Sequence, residues 1–257
     1  MPIGENARDQ SDDLGCFALW WNHGGMTISL ICLDADDTLW HNMRHFNDAE
    51  TALVDMVRPF AAAGVARQAL ETCEARNLPL YGYGAKGFTL SMIETAVELC
   101  GDALTPELVT GLLTAGRALL AHPVELLEGI ADTLARLAER GRLVLVTKGD
   151  LLHQEAKLAA SGLGDRFSGI EIVSDKTADT FRRICERYGV PASDTIMAGD
   201  SMRSDILPAL RAGAWAAYVP QPGAWGHEHA AAPSDAERYR QLNRLADLPA
   251  LIDQLNG

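Results

Sequence analysis

Ile28-Ser29-Leu30-Ile31-Cys32-Leu33-Asp34-Ala35-Asp36-Asp37-Thr38 is the stretch that decides the fold. Its first six residues form a short, nearly continuous apolar run, the pattern of a strand covered on both faces, as in parallel sheets. The run stops abruptly at Asp34, Asp36 and Asp37 and closes on Thr38. One strand alone cannot hide its backbone groups or its side chains, so the rest of the chain must supply partner strands.

Those partners lie far downstream. After Pro123, helical and strand patterns alternate. Ile130, Leu134, Leu137 and Ala138 make one helix face, closed by Gly141. Leu143–Val146 reads as a strand, Leu151–Ala160 as a helix ending near Gly162, Ile170–Val173 as a strand, and Ala178–Tyr188 as a helix ending at Gly189. Thr195–Ala198 is a strand, Asp205–Ala212 a short helix, Trp215–Val219 a strand and Leu245–Leu255 a last helix. Such alternation predicts an α/β protein with a doubly wound parallel sheet.

From Asn42 to Ala121 the text is different, rich in Ala, Leu, Glu and Arg at helical spacing. Ala49–Val57 carries Leu53, Met56 and Val57 on one face, and Thr89–Leu99 carries Leu90, Ile93 and Val97. Thr105 and Pro106 make a good helix start, N-cap followed by first helical position. The irregular piece is Asn77–Gly87, where Pro79, Gly82, Gly84 and Gly87 break any helix. The expected organisation is a core of residues 26–41 and 122–257, with residues 42–121 inserted as an α-helical domain. Gln221–Asp235 is the most linker-like segment. Residues 1–25 show no period; they are expected to be a loose or mis-called extension, with Met26 the natural start.

The chain has 257 residues, 47% hydrophobic and 22% charged, which excludes disorder, collagen and coiled coil as the main architecture. Its formal charge of −13 repels polyanions, so neither nucleic acid nor an anionic membrane is expected as a partner. No apolar run approaches the ~20 residues of a membrane span. Five widely spaced cysteines with no C-x-x-C argue against a disulfide framework and a thiolate zinc site, and for a reducing cytoplasm.

Polar groups gather after three strands: Asp34 and Asp36, then Thr147 and Lys148, then Asp200 and Asp205. Open parallel sheets bind ligands at the carboxyl ends of their strands, so these distant residues should converge on one site. Crowded carboxylates repel and resist desolvation, and a hard divalent cation such as Mg²⁺ relieves both. An acidic metal pocket, a hydroxyl at Thr147 and a cation at Lys176 would together bind a phosphoryl group.

In these residues the chain resembles the haloacid dehalogenase-like hydrolases, a superfamily made mostly of Mg²⁺-dependent phosphatases. The first family motif stands here as LICLDADDT with Asp34, Asp36 and Thr38, the second as LVLVT with Thr147. The third is best matched by Lys176 in VSDKTADTF, the fourth by IMAGDSMRSD with Asp200 and Asp205. They occur in the family's order, with gaps of 113, 29 and 24 residues. The resemblance implies a Rossmann-like core and an aspartyl-phosphate mechanism on a small phosphorylated metabolite. It makes Asp34 the nucleophile and Asp36 the general acid and base. Thr147 and Lys176 then hold phosphoryl oxygens. Asp34, the backbone carbonyl of Asp36 and Asp200 bind Mg²⁺, with Asp205 close behind. Asp36 also argues against a true dehalogenase, which carries no acid at that position. Asp37 departs from the Gly common there.

The insertion resembles the family's helical cap, whose site-facing loop would be Tyr81–Gly87, with Tyr81, Tyr83 and Lys86 as candidate substrate contacts. Lys148, beside Thr147, could reach the same phosphate. His41 and His45 read as structural, and His227 and His229 as a metal pair by composition only. A 2-haloacid dehalogenase, a phosphomutase or phosphotransferase, and a non-catalytic binding protein remain as alternatives. Monomer and homodimer are both open.

Overall fold

Leu30–Leu33 forms the first strand, β1, and every one of its residues is buried. The computed structural model describes residues 27–223, 225–233 and 237–257; the expectation for residues 1–25 lies outside them. β1 pairs in parallel on one side with β2 (Arg142–Lys148) and on the other with β4 (Thr195–Gly199). With β3 (Gly169–Val173), β5 (Trp215–Tyr218) and β6 (Tyr239–Gln241), they make a six-stranded sheet of order β3-β2-β1-β4-β5-β6, parallel throughout.

Strand side chains alternate between the faces of a sheet. Ile31 and Leu33 therefore enter one apolar cluster, and Leu30 and Cys32 the other. The first cluster also takes Leu134 from α5 (Ile130–Ala138), Leu158 from α6 (Leu151–Ser161) and Ile252 from α9 (Leu248–Asn256). The second takes Phe181 from α7 (Ala178–Tyr188) and Ala209 from α8 (Leu207–Ala212). Helices thus cover both faces, which explains why β1 reads as unbroken hydrophobe.

Between β1 and α5 the chain makes four α-helices, α1 (Met43–Val57), α2 (Ala63–Tyr81), α3 (Ala85–Cys100) and α4 (Pro106–Ala121). They share a core of their own, with Leu53, Leu70, Phe88, Met92 and Leu112 at its centre. Each fully buried leucine there contributes roughly 1.5–3 kcal/mol over its exposed state. Thr105 caps α4 by accepting from the Leu108 N–H at 3.2 Å. The two crossings between core and lobe run side by side. Leu127 donates to the Leu39 carbonyl at 2.9 Å and His41 to that of Glu125 at 3.0 Å, with Trp40 bridged to Leu126.

Three local expectations are corrected, and a fourth feature, for which there was no expectation, is added. Leu90 and Val97 lie on the outside of α3, at 44% and 48% exposure; its buried stripe is Phe88, Ser91, Met92, Thr95 and Ala96. The buried serine has a reason, since Asn77 Nδ2 donates to its hydroxyl at 3.2 Å. Second, α2 continues through Pro79 to Tyr81. Pro79 falls in the final turn, where its missing N–H forfeits one bond only, and Gly82 closes the helix on the Leu78 carbonyl at 3.0 Å. The irregular piece shrinks to Gly82–Gly84. Third, the helix expected from Asp205 opens as a wide π-type turn, Met202–Ile206, before α8. Fourth, the short edge strand β6, three residues long, lies beyond the reach of periodicity.

Candidate active site

The carboxyl ends of β1, β2 and β4 bring the distant motifs together. Asp34 follows β1 directly, and its N–H donates to the Ala198 carbonyl at 3.0 Å. Thr147 and Lys148 end β2, Asp200 follows β4, and Lys176 lies in the turn between β3 and α7. Gly199 lets the π-type turn press against β4: a Cβ there would stand 2.2 Å from Asp205 Oδ2. That oxygen also accepts from the Ser201 N–H at 3.0 Å.

Carboxylate oxygens of Asp34, Asp200 and Asp205 lie within 4.8 Å of one another. The Lys176 ammonium holds two of them, donating to Asp34 and, at 2.7 Å, to Asp205 Oδ1. Burial works against its charge, but Asp205 and Asp34 outweigh that and hold the ammonium above its ordinary value. One cation does not balance three acids. Burial, relieved by Lys176 but reinforced by Asp205, pushes Asp34 up to about 7. Burial together with Asp34 and Asp205 drives Asp200 well above the carboxylate range. A cluster short of positive charge, with oxygen donors alone, fits a hard divalent cation.

The Asp36 carboxylate has partners of its own. Lys157, from α6, stands 2.5 and 2.7 Å from its two oxygens, Trp40 Nε1 donates at 2.7 Å and Gln154 Nε2 at 3.1 Å. Burial would raise Asp36, but Lys157, with Trp40 and Gln154, outweighs it and holds the carboxyl below its ordinary value. Gln154 also reaches the Thr147 hydroxyl at 2.6 Å, so one amide joins two motif residues. Asp37 has φ of 59°, the left-handed region that favours glycine and that Asp tolerates better than most residues. Its carboxylate gains a use there, accepting from the N–H groups of Asn42 and Met43, each at 2.9 Å, at the start of α1.

Above the acids a cavity of about 440 Å³ runs up between core and lobe. Tyr83 and Lys148 meet inside it, the ammonium 3.7 Å from the ring centre. Tyr83 also meets Trp225 edge-on at 6.1 Å. The other two lobe candidates are placed differently from expectation. Tyr81 lines the cavity, yet its hydroxyl is engaged with Glu94 at 2.6 Å. Lys86 is not among the lining residues; it pairs with Asp150 of the core at 2.9 Å. Tyr81 ends α2, within reach of Glu94 on α3, and the start of α3 at Ala85 commits Lys86 to a helical turn beside Asp150, the N-cap of α6.

Glu228 is the largest surprise, because it comes from the segment read as a linker. It sits in a short 3-10 turn, Gly226–Glu228, and binds Lys148 and Ser201, while Ser204 donates to it at 2.5 Å. Lys148 in turn donates to Ser204 at 2.6 Å. Burial would raise Glu228, but Lys148 outweighs it and keeps the carboxyl low. Lys157 and Gln154 were missed as well. Their signal was weak but present: they lie three apart on the helix that follows Thr147, hence on one face. His45 stacks on His122, with ring centres 3.8 Å apart.

Known proteins resemble this chain in sequence and fold. A solved haloacid dehalogenase-like hydrolase from Xanthomonas campestris is 37% identical, covers 90% of this chain and 97% of its own, and superposes with a TM-score of 0.81. A 2-haloacid dehalogenase from Pseudomonas syringae shares the fold at 22% identity, with a TM-score of 0.60 over 89% of this chain and 99% of its own. Among curated relatives, N-acylneuraminate-9-phosphatase of Rattus norvegicus is 26% identical over 50% of this chain and 52% of its own. The 5-amino-6-(5-phospho-D-ribitylamino)uracil phosphatase YigB of Escherichia coli is 29% identical over 47% and 50%. The chain thus spans about half the length of these curated relatives. The model of the haloacid dehalogenase-like hydrolases matches residues 28–213, from just before β1 through α8, and this chain belongs to that family of hydrolases.

Proposed function

We propose that the protein is a Mg²⁺-dependent phosphatase of a small phosphorylated metabolite, with helices α1–α4 as its cap. The observation that carries this reading is the grouping of Asp34 with Asp200 and Asp205 around Lys176, with a second carboxyl, Asp36, two residues from Asp34. The phosphatase names of the curated relatives support it.

In this reading an Asp34 oxygen attacks phosphorus, forming the Asp34–phosphorus bond as the ester bond breaks. Asp36 gives its proton to the leaving oxygen. Water then attacks phosphorus, Asp36 takes the water's proton, and the Asp34 carboxylate is restored. Because Lys157 holds Asp36 charged, Asp36 must take up a proton from solvent before the acid step, as substrate loosens that pair. Thr147 and Lys176 hold phosphoryl oxygens. Asp34, the Asp36 carbonyl and Asp200 would hold Mg²⁺, with Asp205 behind them. When bound, the metal neutralises the phosphoryl and carboxylate charges.

The test is phosphate release from p-nitrophenyl phosphate and a panel of phosphorylated metabolites, with Mg²⁺ or with chelator. Release should need Mg²⁺ and vanish in Asp34→Asn. A folded protein that releases none, or an Asp34→Asn variant that keeps turning over, would overturn the proposal.

A further inference from the structure

Every cation that lines the cavity already has a carboxylate partner. Among the described lining residues the cations are Lys176, Lys148 and Arg67. Lys176 is held by Asp34 and Asp205, Lys148 by Glu228, and Arg67 by Glu50 at 2.7 Å. The first belongs to the phosphoryl end. The second stands at the waist, backed by Ser204 and covered by the Tyr83 ring. The third is at the lobe end.

The lobe end is where the organic part of a substrate would lie. Beyond the Glu50–Arg67 pair it presents Glu71 and Glu74, both on α2, with the Trp225 indole hydrogen-bonded to Glu74. Burial, with Glu50 and Glu71 nearby, pushes Glu74 up to about 8. An anion arriving here meets, among the described lining residues, only cations that are already paired. It must take Arg67 from Glu50 or Lys148 from Glu228, and it must then sit beside the displaced carboxylate. A hydrogen-bond donor arriving in the same place meets acceptors on α2, and an ammonium also relieves their mutual repulsion.

Building on the phosphatase reading, we infer that the substrate is a phosphomonoester with no second anionic group, whose organic end offers donors to Glu71 and Glu74, an ammonium foremost and hydroxyls next. The selectivity would thus differ from that of the rat relative, whose named substrate acid, N-acylneuraminate, carries a carboxylate.

Three esters of equal length isolate the end group: 2-aminoethyl phosphate, 2-hydroxyethyl phosphate and phosphoglycolate. Glucosamine 6-phosphate, glucose 6-phosphate and 6-phosphogluconate repeat the comparison at larger size. Each is scored as substrate and as competitor of p-nitrophenyl phosphate, so that slow compounds are still ranked. In at least one set kcat/KM, or competition, should favour the amine over the carboxylate by about tenfold or more, one charge-pair's worth of discrimination. Glu71→Gln, at an exposed position, and Glu74→Gln should each shrink that amine-to-carboxylate ratio severalfold. Equal ranking in both sets, or preference for the carboxylates, with p-nitrophenyl phosphate hydrolysed, overturns this inference alone. Failure to hydrolyse p-nitrophenyl phosphate overturns the phosphatase reading and this inference with it.

Discussion

The Lys157 ammonium lies across the Asp36 carboxylate, 2.5 Å from one oxygen and 2.7 Å from the other, with 5% of the lysine side chain exposed. A buried pair of this kind is costly to break from one side, because the remaining charge is left without compensation. Lys157→Met should therefore destabilise the metal-free protein by about 1–3 kcal/mol at pH 7, measured by urea unfolding. The sign with pH follows from Asp36. Its folded value lies below its unfolded value, so its contribution is present above the unfolded pKa and is lost as pH falls through the folded one. The gap between wild type and variant should close in acid. A gap unchanged between pH 7 and pH 3 would show that the pair does not carry the effect.

Asp37 meets two opposing demands, a left-handed backbone and the capping of α1. Asp37→Ala keeps the strained φ and loses the hydrogen bonds to Asn42 and Met43, so it should cost about 1–2 kcal/mol. Asp37→Gly loses the same bonds but relieves the backbone, and should fall between wild type and alanine. Melting temperatures of the three proteins test that order.

Glu74 sets a second pH dependence, of opposite sense to that of Asp36. Its folded value of about 8 lies above its unfolded value. Between the two, the folded state holds a proton that the unfolded state has lost, so stability falls as pH rises from about 4.5 to about 8. In Glu74→Gln that part of the decline should disappear. Denaturation midpoints across this range for both proteins give the answer, and parallel curves would remove Glu74 as the source.

Gly199 admits the Asp205 carboxylate against β4. In Gly199→Ala the added methyl would stand 2.2 Å from Asp205 Oδ2, so the carboxylate must shift and take Lys176 with it. Displaced groups in a preorganised site cost about 10²-fold in rate. Phosphate release should drop by about that factor, and Mg²⁺ affinity measured by calorimetry should weaken in parallel.

How much of this was legible in the sequence depended on the kind of signal. Apolar runs ending in acid or hydroxyl located β1, β2 and β4 and, through them, Asp34, Thr147 and Asp200, because a buried parallel strand leaves a local mark and its carboxyl end is fixed by topology. The face of α3 was misjudged because its apolar residues occur all round the helix, so period alone could not choose between Leu90 and Met92. Lys157 and Glu228 were missed for another reason. Each earns its place by a partner more than 75 positions away, Asp36 and Lys148, and no local pattern reports such a pairing. In the loop around Glu228 the flanking histidines drew attention by composition, while the residue between them reaches the site.

The paired crossings at Trp40 and Leu126 make the helical lobe a parenthesis in the chain. Facing residues of bridged strands stand only about 5 Å apart, a gap that a two-residue turn can span. The four helices could be excised, or exchanged for another set, without moving any strand of the sheet out of register. Exchange of the lobe at this one point would leave the acid-bearing carboxyl ends of β1 and β4 where they stand.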